Sequence, residues 1–136
     1  MDNLTKEKRS RIMRAVKSRN TRPEICVRQA VYSLGYRFRI DDRRLPGRPD
    51  IVFRPKKKVI FVHGCFWHVH GRCPLSHMPA PRAWKAKLRE NKIRDARVLR
   101  ALKRFGWKSL VVWECELRAI DRVRQRLTAF LGSPRH

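Results

Sequence analysis

Acidic residues are scarce in this chain. Its 136 residues carry 11 Asp and Glu against 35 Lys and Arg, a formal net charge of +24. Solubility needs only a modest excess of either sign, so an imbalance this large calls for a polyanionic partner to offset the self-repulsion. Nucleic acid is the first candidate. An anionic membrane surface is the weaker one, because the basic residues are spread along the chain rather than set beside one apolar helical stripe. Long apolar runs are missing as well: none approaches transmembrane length, and "MDNLTKEKRSR" has no signal-peptide core. A cytoplasmic protein with no membrane association is expected. Cysteine is limited to 4 residues, which in a reducing compartment read as thiols or metal ligands rather than disulfides. No repeat, linker or low-complexity tract divides the chain.

What is present suffices for one folded domain. Hydrophobic residues make up 42%, and a chain of this length buries roughly two thirds of its unfolded surface. Residues 1–20 form a basic arm with Ile12, Met13 and Val16 as its apolar anchors, expected to be a short helix. "TRPE", Thr21 to Glu24, has capping-box spacing and opens a helix to Leu34, burying Cys26 or Val27 with Ala30 and Val31. "YRFRI" alternates like a half-buried strand. "DIVF" and "VIFVH" follow as further strands. A basic helix spans Ala83 to Phe105 with Leu88, Val98, Leu99 and Leu102 inward, and Gly106 ends it. "KSLVVWE" is a last strand and Ala119 to Leu131 a last helix. The order predicts an α/β fold, a mixed sheet flanked by helices.

The segment "VIFVHGCFWHVHGRC" concentrates the chemistry. Cys65-x4-His70-x2-Cys73 is a compact trio of soft and borderline ligands, and Cys115 ends the last strand. If the strands over 59–63 and 108–113 are neighbours, the four residues suit one tetrahedral structural zinc. The plainer alternative is a buried cysteine pair and a surface histidine. Cys26 reads as core. Asp50 enters its strand amid Arg44 and Arg48, placed to bind a divalent cation or simply to pair with arginine. Glu24 is explained by capping alone. Glu114 and Glu116, flanking Cys115, stay undecided. His63 ends a buried strand and His68 follows five residues later, so the two stand as a general-base pair, as packing, or as alternative zinc ligands. Phe66, Trp67 and Trp84 read as sheet cover or as wedges between bases. Trp107 and Trp113 read as core.

Taken together, "LPGRPDIVF", "VIFVHGCFWHVHGRC", "RAWKAKLRENKIRD" and "GWKSLVVWECELR" resemble the very-short-patch-repair (Vsr) DNA mismatch endonucleases. "RIMRAVKSRNTRPE" resembles that family's N-terminal segment. The resemblance runs from about Lys8 to Arg118. It implies a restriction-endonuclease-like fold over 1–136, with a structural zinc and 1–20 as a DNA-contacting arm. It also implies Mg2+-dependent nicking of one strand beside a T:G mismatch left by deamination of 5-methylcytosine. By the same resemblance Asp50, His63, His68 and Glu24 are catalytic, and Asp50 with the Val62 carbonyl holds Mg2+. Cys65, His70, Cys73 and Cys115 hold Zn2+. Phe66, Trp67, Trp84, Lys87, Asn91, Met13 and Arg14 contact DNA. The implied partners are mismatched duplex DNA and, functionally, a cytosine-5 DNA methyltransferase. A monomer is expected, since nicking one strand needs only one active site. Two rivals remain: a less selective nicking nuclease of the same fold, and a non-catalytic zinc-stabilised DNA-binding module.

Overall fold

The computed structural model describes residues 21–40, 42–65, 68, 70 and 82–134. Met13, Arg14, Phe66, Trp67 and Cys73 lie outside them, as does the helix expected in the basic arm. Six regular elements emerge: α1 (Arg22–Ser33), β1 (Ile51–Phe53), β2 (Lys58–His63), α2 (Arg82–Arg104), β3 (Lys108–Trp113) and α3 (Ile120–Leu131). A 3-10 turn, Glu114–Ala119, joins β3 to α3. The sheet order is β1-β2-β3. β1 is antiparallel to β2, with Ile51 opposite Ile60. β3 is parallel to β2, with His63 opposite Trp113. A parallel pair needs a long crossover, and α2 supplies it.

Strand alternation divides the core in two. Ile51, Phe53, Ile60, Val62 and Val112 face α1 and α3, packing on Val27, Val31, Val123 and Leu127. Val52, Val59 and Phe61 face the other way, onto Leu102, Val98 and Leu99 of α2. This parity matters for the chemistry, because His63 shares the α2 side with Phe61.

Three sequence expectations change. "YRFRI" is not a strand: Tyr36 is buried and Phe38 packs on the core, but only Arg39 and Val52 bridge. Their reciprocal bonds of 3.0 and 2.8 Å complete the pairing. β1 has only 3 residues, so it has little edge to offer a partner. Thr21 takes the N-cap position of α1 without a side-chain cap bond, so capping does not account for Glu24. Cys26 stays half-buried while Val27 takes the core position.

Between Arg39 and Asp50 the chain is pinned by Asp42, whose carboxylate accepts from Arg44 and from Arg54 at 2.7 Å. The hydrogen bonds from the Arg44 side chain and backbone N–H, with Arg54 beyond them, pull the Asp42 pKa down to about 2. The turn that follows packs directly on α2. Gly47 has φ 74, and a Cβ there would lie 2.4 Å from Cγ1 of Val98.

Candidate active site

β2 outruns β1. Beyond the Ile51–Ile60 pair, no strand among the described residues bonds the β1 side of β2, and the Asp50 side chain fills the gap. Its Oδ2 accepts the Val62 N–H at 2.6 Å. Within a β residue the N–H and C=O point to the same side, so the Val62 carbonyl is directed toward the side that the Asp50 carboxylate occupies.

One residue further, His63 is buried at 6% exposure. Its ring stacks on His68, centroids 3.9 Å apart and 8° from parallel. Its edge meets Trp113 at 5.1 Å. Burial, and then the neighbouring His68, push its pKa down to about 4 against the opposing pull of Asp95, so His63 is neutral near pH 7. Its Nδ1 is buried without a hydrogen-bond partner. Leaving such an atom unsatisfied costs about 1–3 kcal/mol, a cost recovered if a ligand group fills the position.

His68 has a fixed partner. Nδ1 lies 2.6 Å from Oδ2 of Asp95 on α2. An ionised carboxylate only accepts, so Nδ1 carries the proton and the neutral ring keeps its lone pair on Nε2. Asp95 was not anticipated from the sequence. Its signal was there, however: a rare acid on the inward stripe of a basic helix, in step with Leu88, Asn91 and Leu102.

A second cluster sits behind the first. Cys65 is buried, Cys115 and His70 are half-buried, and their ligand atoms lie within 4.8 Å of one another. Sγ of Cys115 is 3.5 Å from Nδ1 of His70. Glu114, undecided from sequence, accepts the Cys65 N–H at 3.0 Å, and Glu116 accepts the Trp113 N–H at 3.0 Å. Trp113 was expected in the core. Instead it is a half-buried partition, with His70 stacked on its ring at 4.2 Å and His63 meeting it in an edge contact. Its place opposite His63 in the parallel register puts it there. The His63, His68 and Asp95 ligand atoms form a further group of metal-binding type.

The other site expectations fall unevenly. Glu24 is buried in the first turn of α1 and paired with Arg28 at 3.2 Å. Trp84 is half-buried and Lys87 exposed on α2. Asn91 is buried, its Oδ1 accepting from Arg94 at 3.0 Å, and so is less open than a base-facing residue would be. Among the described residues, no helix is long and apolar enough to cross a membrane.

Comparison with known proteins adds to this geometry. The family model described as DNA mismatch endonuclease Vsr matches residues 1–74. The chain is 46% identical over 132 residues to the type II nicking enzyme V.XorIIP of Xanthomonas oryzae pv. oryzae, covering 96% of each protein. It is 43% identical over 120 residues to the DNA mismatch endonuclease Vsr of Escherichia coli K12, covering 87% of this chain and 76% of that one. In fold it is similar to the homing endonuclease I-Bth0305I catalytic domain. That match has a TM-score of 0.58 and 20% identity, covering 86% of this chain and 100% of the other.

Proposed function

Because the chain belongs to the Vsr family of DNA mismatch endonucleases and is a DNA endonuclease, we propose that it nicks one strand beside a T:G mismatch. Such a mismatch is left when 5-methylcytosine deaminates, and the nick opens very short patch repair in step with a cytosine-5 DNA methyltransferase. Membership in an endonuclease family removes the non-catalytic module from consideration. The observation that carries the reading is the meeting of four groups at the end of β2: the Asp50 carboxylate on the Val62 N–H, and the His63, His68 and Asp95 stack.

Asp50 and the Val62 carbonyl are hard oxygen donors on one side of β2, a set that suits Mg2+. When bound, that ion supplies Lewis-acid stabilisation of charge on the phosphate and the leaving 3′ oxygen. The protein does the rest. Asp95 holds His68 in the tautomer whose Nε2 takes a proton from water, and it stabilises the imidazolium that results. His63, kept neutral by burial, supports the stacked ring and turns its unsatisfied nitrogen to the incoming phosphate. Glu24 serves as the acidic helper. The products carry a 5′ phosphate and a 3′ hydroxyl.

Cys65, His70 and Cys115, completed by Cys73, hold a structural Zn2+. Tetrahedral zinc, with bonds of about 2.3 Å to sulfur and about 2.0 Å to nitrogen, sets such a pair roughly 3.5 Å apart. The Cys115–His70 separation fits it. Phe66, Trp67 and Trp84 form the wedge, which costs least at a poorly stacked wobble pair. Lys87 and Asn91 address the mismatch, Asn91 after its burying neighbours give way. Met13 and Arg14 belong to the DNA-contacting arm, 1–20. The unit is one domain, 1–136, acting as a monomer in the bacterial cytoplasm.

A nicking assay on duplexes carrying T:G or C:G in methylase-site contexts, with Mg2+ or EDTA, tests this reading. Mg2+-dependent cutting of the T strand alone is expected, and Asp50→Ala should abolish it while DNA binding persists. Equal cutting of paired and mispaired DNA would instead support a less selective nicking endonuclease. The type II nicking enzyme relative favours that second reading.

A further inference from the structure

Register and strand parity link four rings at the end of the sheet. His63 and Trp113 are partners in the parallel β2–β3 pairing, so their side chains leave the same face. There His68 lies against His63 at 3.9 Å and 8°, and Trp113 meets His63 at 5.1 Å and 78°. His70 in turn stacks on Trp113 at 4.2 Å and 5°. The chain of contacts runs from Asp95, bonded to His68, to Cys115, beside His70. His63 is the ring in it with the least to hold it. The torsion that turns an imidazole about its Cβ–Cγ bond is broad rather than three-welled, so a ring needs an outside partner to fix its angle. Nδ1 of His63 is buried and has no hydrogen-bond partner. Its orientation falls to the surfaces around it: His68, Phe61 at 5.8 Å and 54°, and Trp113. His68 is itself the ring to be positioned, and Phe61 belongs to the same strand as His63. Trp113 reaches His63 from another strand.

Trp113 is held in its turn. Glu116 accepts its backbone N–H at 3.0 Å, and the same carboxylate is ion-paired with Arg126 of α3. Arg126 also donates to the Val111 carbonyl at 3.4 Å. Val111 and Trp113 stand two residues apart, so these backbone groups lie on one edge of β3, an edge that no strand among the described residues covers. Side chains alone can protect an open edge in this way. Here, however, the protected strand end carries a half-buried ring set against a buried imidazole. We infer that Trp113 is a positioning residue for the His63–His68 pair, and that the Glu116–Arg126 clamp fixes the strand end from which it acts. The flat ring stops His63 from turning, and His63 backs the ring of His68, whose Nε2 is the base. Trp113 works only through His63. That role rests on the nuclease reading of the site and not on its preference for T:G.

Single-turnover nicking at saturating DNA separates the reacting step from affinity. Trp113→Leu keeps apolar bulk without a flat ring and should slow that step about 10²-fold, the scale of a small misplacement of a reacting group. Trp113→Phe restores a flat ring and should recover most of the rate. Arg126→Gln breaks the clamp at an exposed position and should give a smaller loss with the thermal midpoint held. The DNA dissociation constant should be unchanged in all three. Because Trp113 also stacks on His70, each variant is assayed zinc-replete with its bound zinc counted. Imidazole NMR of His63 is the direct readout: wild type should give one set of ring signals, and Trp113→Leu doubled or exchange-broadened ones. A wild-type rate in Trp113→Leu, or one unchanged set of His63 signals, would overturn the inference. So would a rate loss that zinc repletion cures, since the ring would then serve only the zinc pocket. If Trp113→Leu does not fold, Arg126→Gln decides, by a slower rate with broadened His63 signals or by neither. If wild type nicks neither mispaired nor paired DNA, the nuclease reading fails, and the His63 signals still decide whether Trp113 holds the ring.

Discussion

Asp95 sets the protonation pattern on which the stack depends. Its carboxylate accepts a hydrogen bond from Nδ1–H of His68; in the proposed mechanism this leaves Nε2 as the base and stabilises the cation that follows proton uptake. Asp95→Asn preserves size but lets either nitrogen of His68 carry the proton and removes the counter-charge. Single-turnover nicking should fall by about 10²–10⁴-fold, the range spanned by general-base and tautomer effects, while the DNA dissociation constant and thermal midpoint hold. A large drop in midpoint with an unchanged rate would make Asp95 a packing residue. The second cluster gives a different signature. Cys115→Ser removes a soft donor beside His70, and it should lower bound zinc and the unfolding midpoint together. Because His70 and His63 share the Trp113 ring, metal loss at one cluster should also disturb the stack at the other. Metal analysis and thermal unfolding of the same preparations check this directly.

Among the elements, the turn after Arg39 is where a small change should travel furthest. Gly47 occupies a left-handed conformation and abuts Val98. Gly47→Ala adds backbone strain of about 1–2 kcal/mol and a steric clash of about 1–3 kcal/mol. Val98 lies about one helical turn from Asp95, so the displaced helix should also weaken the Asp95–His68 bond and slow nicking. Pairing it with Val98→Ala should recover the steric part but not the strain. The double variant should then be less destabilised in denaturant than the two single losses added. This contact spans distant sequence, and that distinction marks what could be read beforehand. α2 was legible because Leu88, Val98, Leu99 and Leu102 keep helical period over many turns, and β2 because "VIFVH" is a continuous β-branched and aromatic run. "YRFRI" misled because alternation records which side chains are buried, whereas a strand also needs a partner edge, and β1 offers too little. The Cys65, His70 and Cys115 grouping was legible from ligand chemistry once two strands were assumed adjacent. Asp95 left only the trace of a rare acid on the inward stripe of α2, and the partition role of Trp113 left none, since each partner is set by a contact across the fold.

Over the whole molecule, charge governs stability. A net +24 repels itself in the compact state, and each acid that protonates adds to it. Asp42 is the most exposed to this effect in consequence, because it ties Arg44 and Arg54 together across the loop that leads to Asp50. Its carboxyl titrates near 2 in the folded protein, below its ordinary value of 3.8. A depressed carboxylate contributes stability that is fully present above the unfolded pKa and is lost as pH falls through the folded one. The Asp42 contribution should therefore be intact above about pH 4 and disappear toward pH 2. Asp42→Asn should already lack it at neutral pH, so the unfolding midpoints of variant and wild type should differ there and converge as the acid limit is approached. Duplex DNA acts in the opposite direction. It binds the folded state and neutralises the surface, so it should raise the midpoint, more at low salt than at high. Thermal scans of both proteins from pH 7 to 2, with the DNA series kept at neutral pH, separate the two effects. A gap that stays constant with pH would show that Asp42 acts by shape rather than by charge.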